Sequence, residues 1–337
     1  MDEIKLNIEI PVFGWQPKTG IRHAYGQALC RELQAAAKEL SEYTIPMLHI
    51  SRAGELGCGE LERLLLVLRK SLDLTSAWKV ADIAPEHMNT ANLTVLRNFR
   101  VHWYRIDFGA WNIVDFKAMK RPYDYSLYSS IKQLLHFYDM HNFSALLLCG
   151  LPNQKTMSLR DSLNRVLETE PDGICLKPAQ TAPVAVTEEL LAFGREFLET
   201  AGYRPETVYD YVKSDLNRPP QPGFYWGVGC GAVSRMEDVL LQNTPDPDAY
   251  LQDSDNLEKL IVSAVRLNPA WLMEESLRQQ LLLPTGADSL FFERKYGILF
   301  EEYRQRLLTR DLAKECQDRL ILTQKGIIWL AALTDNR

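Results

Sequence analysis

The sequence predicts an α/β protein. The expected architecture is a partial (β/α)6 TIM-like barrel with a C-terminal α+β extension and a winged-helix-like module. Three observations carry this. Short apolar runs alternate with amphipathic stretches about six times before Pro178. The connections are short, and the apolar runs are rich enough in Ile, Val and Leu to be parallel strands covered on both faces. After Pro178 the rhythm breaks into a proline- and glycine-rich segment, then a helical region with a short strand near its end. The implied domains are 1–180 for the barrel, 181–254 for a linking α+β segment and 255–337 for the terminal module.

Taken in order, Ile4, Leu6, Ile8 and Ile10 alternate as a strand that Pro11 stops. A turn-rich loop, Phe13 to Gly20, precedes a helix over Ala24 to Leu40. The second strand is Ile45 to Ile50. Its helix, Glu60 to Leu72, carries Leu61, Leu64, Leu65 and Leu68 on one face. Trp78 to Ile83 is the third strand, and Thr90 caps the helix that runs to Asn98. Val101 to Phe108 and Phe143 to Cys149 are the fourth and fifth strands, with a helix at Tyr125 to Met140 between them. Gly150 and Pro152 fix the turn that hands the fifth strand to a helix at Met157 to Leu167, because Gly permits unusual φ and Pro sets φ near −65°. Gly173 to Leu176 is the sixth strand.

Beyond Pro178 a helix at Thr187 to Ala201 leads to Val208-Tyr209-Asp210-Tyr211 and the irregular stretch Asn217 to Gly223. The spaced glycines of Tyr225 to Ala232 lack the strand–turn–helix setting of a dinucleotide fingerprint, and read as a close backbone approach. Helices are expected at Leu257 to Leu267, Leu290 to Tyr296, Phe300 to Leu312 and Gln324 to Ala332, with a strand at Arg319 to Leu322.

The chain has 337 residues, 46% hydrophobic and 24% charged, so a sizeable core is available. A net charge of −6 argues against broad nucleic-acid binding, and the balanced charges of the terminal module do not favour DNA reading. No apolar run reaches the roughly 20 residues of a membrane span. The N-terminus lacks a basic n-region and a long apolar h-region, so a cytoplasmic protein is expected. Six scattered cysteines (Cys30, Cys58, Cys149, Cys175, Cys230 and Cys316) form no CxxC pair and no cluster loop.

Several landmarks fall in order along the chain: Ile8-Glu9-Ile10-Pro11, Gly59-Glu60-Leu61, Arg105-Ile106-Asp107-Phe108-Gly109, Arg121-Pro122-Tyr123, Gly150 to Thr156, Ala201-Gly202-Tyr203, Tyr225 to Ser234 and Leu322-Thr323-Gln324-Lys325-Gly326. Together they resemble the oxygen-independent coproporphyrinogen oxidase and HemW-type haem-chaperone branch of the radical SAM proteins, over roughly residues 4 to 333. The resemblance implies a [4Fe-4S] cluster on a CxxxCxxC loop and a SAM site. The cluster positions here are Phe13, Pro17 and Gly20, none of which supplies a thiolate. Of the glycine triplet only Gly54 is kept. The SAM-contacting Gln and Asp of the family correspond to Trp111 and Leu146, and its "EANP" carboxylate to Asp82; Arg121 is retained. Gly54, Asp82, Arg121 and Gln154 are what the resemblance leaves of a vestigial pocket, expected to be bulkier and drier than the family's.

The implied function is a catalytically inactive radical-SAM-like protein, with no resident cofactor, acting as a binding or scaffold partner of a related enzyme. Trp15, Trp111 and Trp226 are its candidate anchors. One alternative is a haem or tetrapyrrole carrier, with axial ligands drawn from His23, His49, His87, His102, His136, His141 or the cysteines. The other is a repurposed enzyme that uses Asp82, Glu86, His87, Arg105, Asp107 or Arg121 on the barrel rim, with Glu86 and His87 adjacent on one loop.

Overall fold

The computed structural model describes residues 2–13, 20–119, 125–140, 142–179, 183–213, 219 and 222–335. Its first half alternates β1 (Glu3–Ile8), α1 (Ile21–Leu40), β2 (Thr44–Ile50), α2 (Cys58–Ser71), β3 (Trp78–Ile83), α3 (Thr90–Asn98), β4 (Trp103–Gly109), α4 (Ile113–Ala118), α5 (Tyr125–Phe137), β5 (Phe143–Cys149), α6 (Thr156–Leu167), β6 (Gly173–Pro178) and α7 (Val184–Thr200). The expected strand–helix rhythm is therefore present, with boundaries shifted by a few residues.

The chain forms two compact units, each discontinuous in sequence. The first holds Met1–Asp107, Leu127–Asn142 and Asn217–Leu267. Within it, β1, β2, β3 and β4 pair in parallel and in chain order. The other side of β1 takes a strand from late in the chain, Phe224–Val228, also in parallel. Strands Val233–Met236, Val239–Asn243 and Ile261–Arg266 extend this sheet antiparallel. Ile4, Leu6 and Ile8 of β1 are fully buried, as are Leu29 and Leu33 of α1 and Leu61, Leu64 and Leu68 of α2, the helix face that the leucine spacing marked out.

The second unit holds Phe108–Ser126, Phe143–Leu216 and Asn268–Arg337. Here β5 and β6 pair in parallel, and Asp210–Val212 adds to β6 antiparallel. The C-terminal part consists of the helices Pro269–Leu281, Ser289–Tyr296, Ile298–Thr309 and Gln324–Asp335, with a small antiparallel sheet of Ala287–Asp288, Ala313–Cys316 and Arg319–Leu322. Its last helix packs on α7, and the Tyr209 hydroxyl donates to the Ile327 carbonyl at 2.8 Å.

Three local expectations are corrected. Leu257 to Leu267 is not one helix: a single turn, Leu257–Leu260, gives way to the strand Ile261–Arg266. Ile261, Val262 and Val265 are β-branched, and an antiparallel neighbour is at hand to satisfy their backbone groups. The cap of α3 is Asn89, whose Oδ1 accepts from the Asn92 N–H at 3.0 Å, rather than Thr90. The helix Pro269–Leu281, capped by Asn268 with Pro at its first position, was not expected. The close approach read from the later glycines is real. A Cβ on Gly227 would meet the Val233 carbonyl oxygen at 2.4 Å, and one on Gly229 (φ +130°) the Glu9 carbonyl oxygen at 2.4 Å.

Candidate functional site

Alternation along β1 buries Ile4, Leu6 and Ile8, so Lys5 and Asn7 turn to the opposite, half-buried face, with Glu9 just past the strand end. The parallel register sets Asn7 beside His49 of β2, and Asp82 of β3 beside Arg105 of β4. The result is a polar face on the first unit, built from one or two side chains per strand.

Arg105 holds Asp82 through two bonds, Nε to Oδ1 and Nη2 to Oδ2, each 2.5 Å. His49 Nε2 lies 2.9 Å from Arg105 Nη2 and 3.0 Å from Asp82 Oδ2. That nitrogen accepts from the guanidinium when bare, and donates to the carboxylate when protonated. Burial works against the Asp82 charge, but Arg105 and His49 outweigh it and hold the carboxyl well below the usual carboxylate range. Lys5 makes no hydrogen bond or ion pair among the described residues. Burial, and then the Arg105 charge, lower its ammonium below the ordinary lysine value, against the pull of Asp82 and Glu9. Asn7 Oδ1 is buried with no partner among the described residues.

The loops beyond these strands are tied to one another. Ser51 Oγ donates to Glu9 Oε2 at 2.8 Å, and Arg52 Nη2 stands 3.6 Å from the same carboxylate while its Nε donates to the Ile10 carbonyl. Glu55 accepts from the Phe13 N–H at 3.3 Å, and its Oε1 lies 3.4 Å from His87 Nε2. Thus His87 meets Glu55 and not its chain neighbour Glu86. A Cβ on Gly54 would stand 2.3 Å from the His87 Cβ. The space this glycine leaves is filled by the protein's own imidazole.

Of the family's cluster positions, Phe13 sets its ring edge-on to Tyr25, with centroids 5.6 Å apart, and Gly20 (φ 82°) stands exposed at the start of α1. Pro17 lies outside the described residues, as do Trp15, Arg121 and His141. Cys30 is buried in α1 and Cys58 opens α2. No group of three His, Cys, Asp or Glu side chains able to hold a metal occurs among the described residues. The donor set does not fit a [4Fe-4S] cluster, which needs thiolates converging on one loop.

In the second unit, Trp111 stacks on Phe108 with centroids 4.9 Å apart, and its backbone N–H donates to Ser162 Oγ at 2.9 Å. Gln154 is buried. Its Oε1 accepts from Gly150 N at 2.7 Å and Leu151 N at 3.3 Å, and its Nε2 donates to Asp115 Oδ2 at 3.0 Å and to the Leu148 carbonyl at 3.2 Å. Gln154 therefore pins its own turn. Leu146 is half-buried on β5. Trp111 and Trp226 are 6% and 9% exposed, so they belong to the core and neither is a surface anchor. Among the other candidate haem ligands, His23 bonds Glu60 at 2.8 Å, His102 stacks on Trp78 and accepts from the Lys79 N–H, and His136 is exposed. Asp107 sits half-buried on β4.

Residue patterns gave no signal for Lys5 as part of a site, nor for Glu32. Glu32, 1% exposed on α1, accepts from Tyr250 OH at 2.6 Å, Asn243 Nδ2 at 2.6 Å and Gly229 N at 2.9 Å. Burial outweighs these three bonds and pushes its carboxyl up to about 7. The contacts anchor the late glycine-rich segment to the first helix. Only the three-dimensional pairing of residues distant in sequence reveals them.

The architecture defines the class: an α/β protein with the TIM-like barrel fold of the radical SAM enzymes. Within that class its likeness is to oxygen-independent coproporphyrinogen III oxidase, as the ordered sequence landmarks implied. No family model matches the chain. A curated oxygen-independent coproporphyrinogen III oxidase of Pseudomonas aeruginosa is 24% identical over an alignment of 344 residues, which covers 90% of this chain and 74% of that protein. The solved structure of coproporphyrinogen III oxidase (HemN) from Escherichia coli, described as a radical SAM enzyme, superposes with a TM-score of 0.80 at 16% identity, covering 98% of this chain and 88% of that one. Among the described residues no helix is long and apolar enough to cross a membrane.

Proposed function

We propose that this chain is a catalytically inactive radical-SAM-like protein that forms no [4Fe-4S] cluster, carries out no radical chemistry on SAM, and acts in the cytoplasm as a binding protein. What carries the reading is that the three positions which the resemblance assigns to cluster thiolates hold Phe13, Pro17 and Gly20, with Phe13 packed on Tyr25. The closure of Gly54 by His87 supports it further.

The ligand class that the likeness brings is a carboxylate-bearing tetrapyrrole, and Lys5 and Arg105 supply positive charge on the polar face. The protein partner of such a chain would be a catalytic relative. Anaerobic expression with iron and sulfide reconstitution tests the reading. A colourless protein with negligible iron is expected. A brown protein with absorption near 400 nm and about four irons per chain, the content of one [4Fe-4S] cluster, would overturn it. Titration with haem or coproporphyrin then tests the ligand, and an unshifted Soret band for both would remove the tetrapyrrole reading.

A further inference from the structure

We propose that the cavity between α3 and the end of α5, on the outer side of β4, binds a small monocarboxylate with a short apolar body, held by Arg97 and the Tyr104 hydroxyl. Side chains alternate along β4, so Tyr104 turns away from the polar face that Arg105 joins. It faces instead a cavity of about 220 Å³ that it shares with Leu93 and Arg97 of α3. The cavity lies entirely within the first unit. It is smaller than the roughly 300–1,000 Å³ of pockets for drug-sized ligands, so a smaller molecule is its match. Leu93, Val101 and Met140 are buried and give it apolar walls.

Two polar groups on these walls have no acceptor among the described residues. The Arg97 guanidinium sits over the Tyr138 ring, 5.9 Å from its centroid, and makes no ion pair there. The Tyr104 hydroxyl makes no hydrogen bond, although the residue is only 4% exposed. Unlike Asn7 Oδ1, it is not sealed from a small molecule, because Tyr104 is part of the cavity wall. Burial pushes this hydroxyl up to about 12 against the pull of Arg97, so it remains a donor at neutral pH. A carboxylate accepts from both groups, and its apolar body then lies on Leu93, Val101 and Met140. The walls are held ready. The Tyr138 hydroxyl lies 3.0 Å from Thr94 Oγ1 and donates to the Thr90 carbonyl at 3.2 Å. Asn142 Nδ2 donates to the His102 carbonyl at 2.7 Å, and the Asn142 carbonyl accepts from the Tyr104 N–H at 3.0 Å. Asp139 also lines the cavity and offsets the Arg97 charge, so one anionic group is accommodated better than two.

The cavity lies across β4 from the polar face, so the proposal goes beyond the cluster-free reading and does not depend on it. The test is a ligand-observed NMR titration of the full chain with benzoate. Benzyl alcohol serves as the uncharged analogue and phthalate as the dianion. Benzoate should bind saturably and about tenfold tighter than either. Tyr104→Phe removes a hydroxyl that bonds nothing among the described residues, so the fold should keep its melting temperature while benzoate binding weakens about fivefold. Arg97→Gln should weaken it about tenfold. Arg69→Gln, which removes an exposed arginine from α2, should leave the affinity unchanged and so separates the site from general surface charge. Benzoate no tighter than benzyl alcohol, phthalate as tight as benzoate, or an unchanged affinity in either cavity variant would overturn the proposal. Iron content plays no part in these affinities, so the cluster-free reading and this site fail separately.

Discussion

Asp82 and Arg105 face each other across neighbouring parallel strands, joined by two bonds of 2.5 Å between carboxylate and guanidinium. The Asp82 carboxyl titrates lower in the folded chain than in the unfolded one. Its contribution to stability is therefore present above a pH of about 4 and is lost as the pH falls below that. Arg105 is 50% exposed, which limits the pair to about 1 kcal/mol. Asp82→Asn should lower the urea midpoint at pH 7, and the gap from the parent protein should narrow as the pH falls below about 4.

Glu32 behaves in the opposite sense. Its carboxyl is raised from 4.5 to about 7 by burial, so the folded state favours the protonated form. The associated stability is complete at low pH and is lost as the pH rises through 7. The shift corresponds to roughly 3 kcal/mol between the two ends of that window. Glu32→Gln should be the less stable protein at pH 5, where it has lost an acceptor for Asn243, and should gain on the parent as the pH rises to 8. Urea midpoints measured across this range report it, and two parallel pH curves would contradict the assignment.

The contact of Gly54 with His87 is steric. Gly54→Ala should destabilise by about 1–3 kcal/mol, the usual penalty of overpacking. His87→Ala on the same chain should recover much of that loss, and thermal melts of the two single variants and the double variant measure the coupling. Additive effects would mean that the two side chains do not compete for one space.

Gln154→Ala would strand the Gly150 and Leu151 N–H groups, two donors that Gln154 now satisfies. A loss of about 1–3 kcal/mol follows from removing their buried acceptor. Gly150 adds a constraint of its own. Its φ is +83°, and a Cβ there would stand 2.3 Å from the Thr187 hydroxyl oxygen, so Gly150→Ala should also destabilise. Chemical denaturation of both variants checks this.

The barrel strands were legible because each combines a short apolar run with a neighbouring amphipathic helix, as Ile4 to Ile8 and the leucine face of α2 show. The segment Ile261 to Arg266 was not, since a stretch of that length carries no helix-or-strand preference until Val239–Asn243 offers a partner. At the site, Asp82 and Gly54 were found by resemblance, and Arg105 as a candidate polar group on the barrel rim. The junction of Lys5, Asn7, His49, Asp82 and Arg105 depends on register across four strands, which no local pattern encodes. Trp111 and Leu146, from which the dry pocket was inferred, belong to the second unit and carry no information about this polar face.

The position of β1 has a consequence for synthesis. It is bordered by β2 on one side and by Phe224–Val228 on the other, with Ile4 opposite Phe224 and Ile8 opposite Val228. As the chain leaves the ribosome, β2 is available early, but the second neighbour emerges only after most of the polypeptide has been made. Until then the first strand presents an open row of backbone donors and acceptors beside an apolar sheet, the kind of edge on which nascent chains aggregate. A holdase chaperone that shields the N-terminal strands during translation would be needed most over that interval, and release of a product truncated before residue 224 would leave the edge permanently exposed.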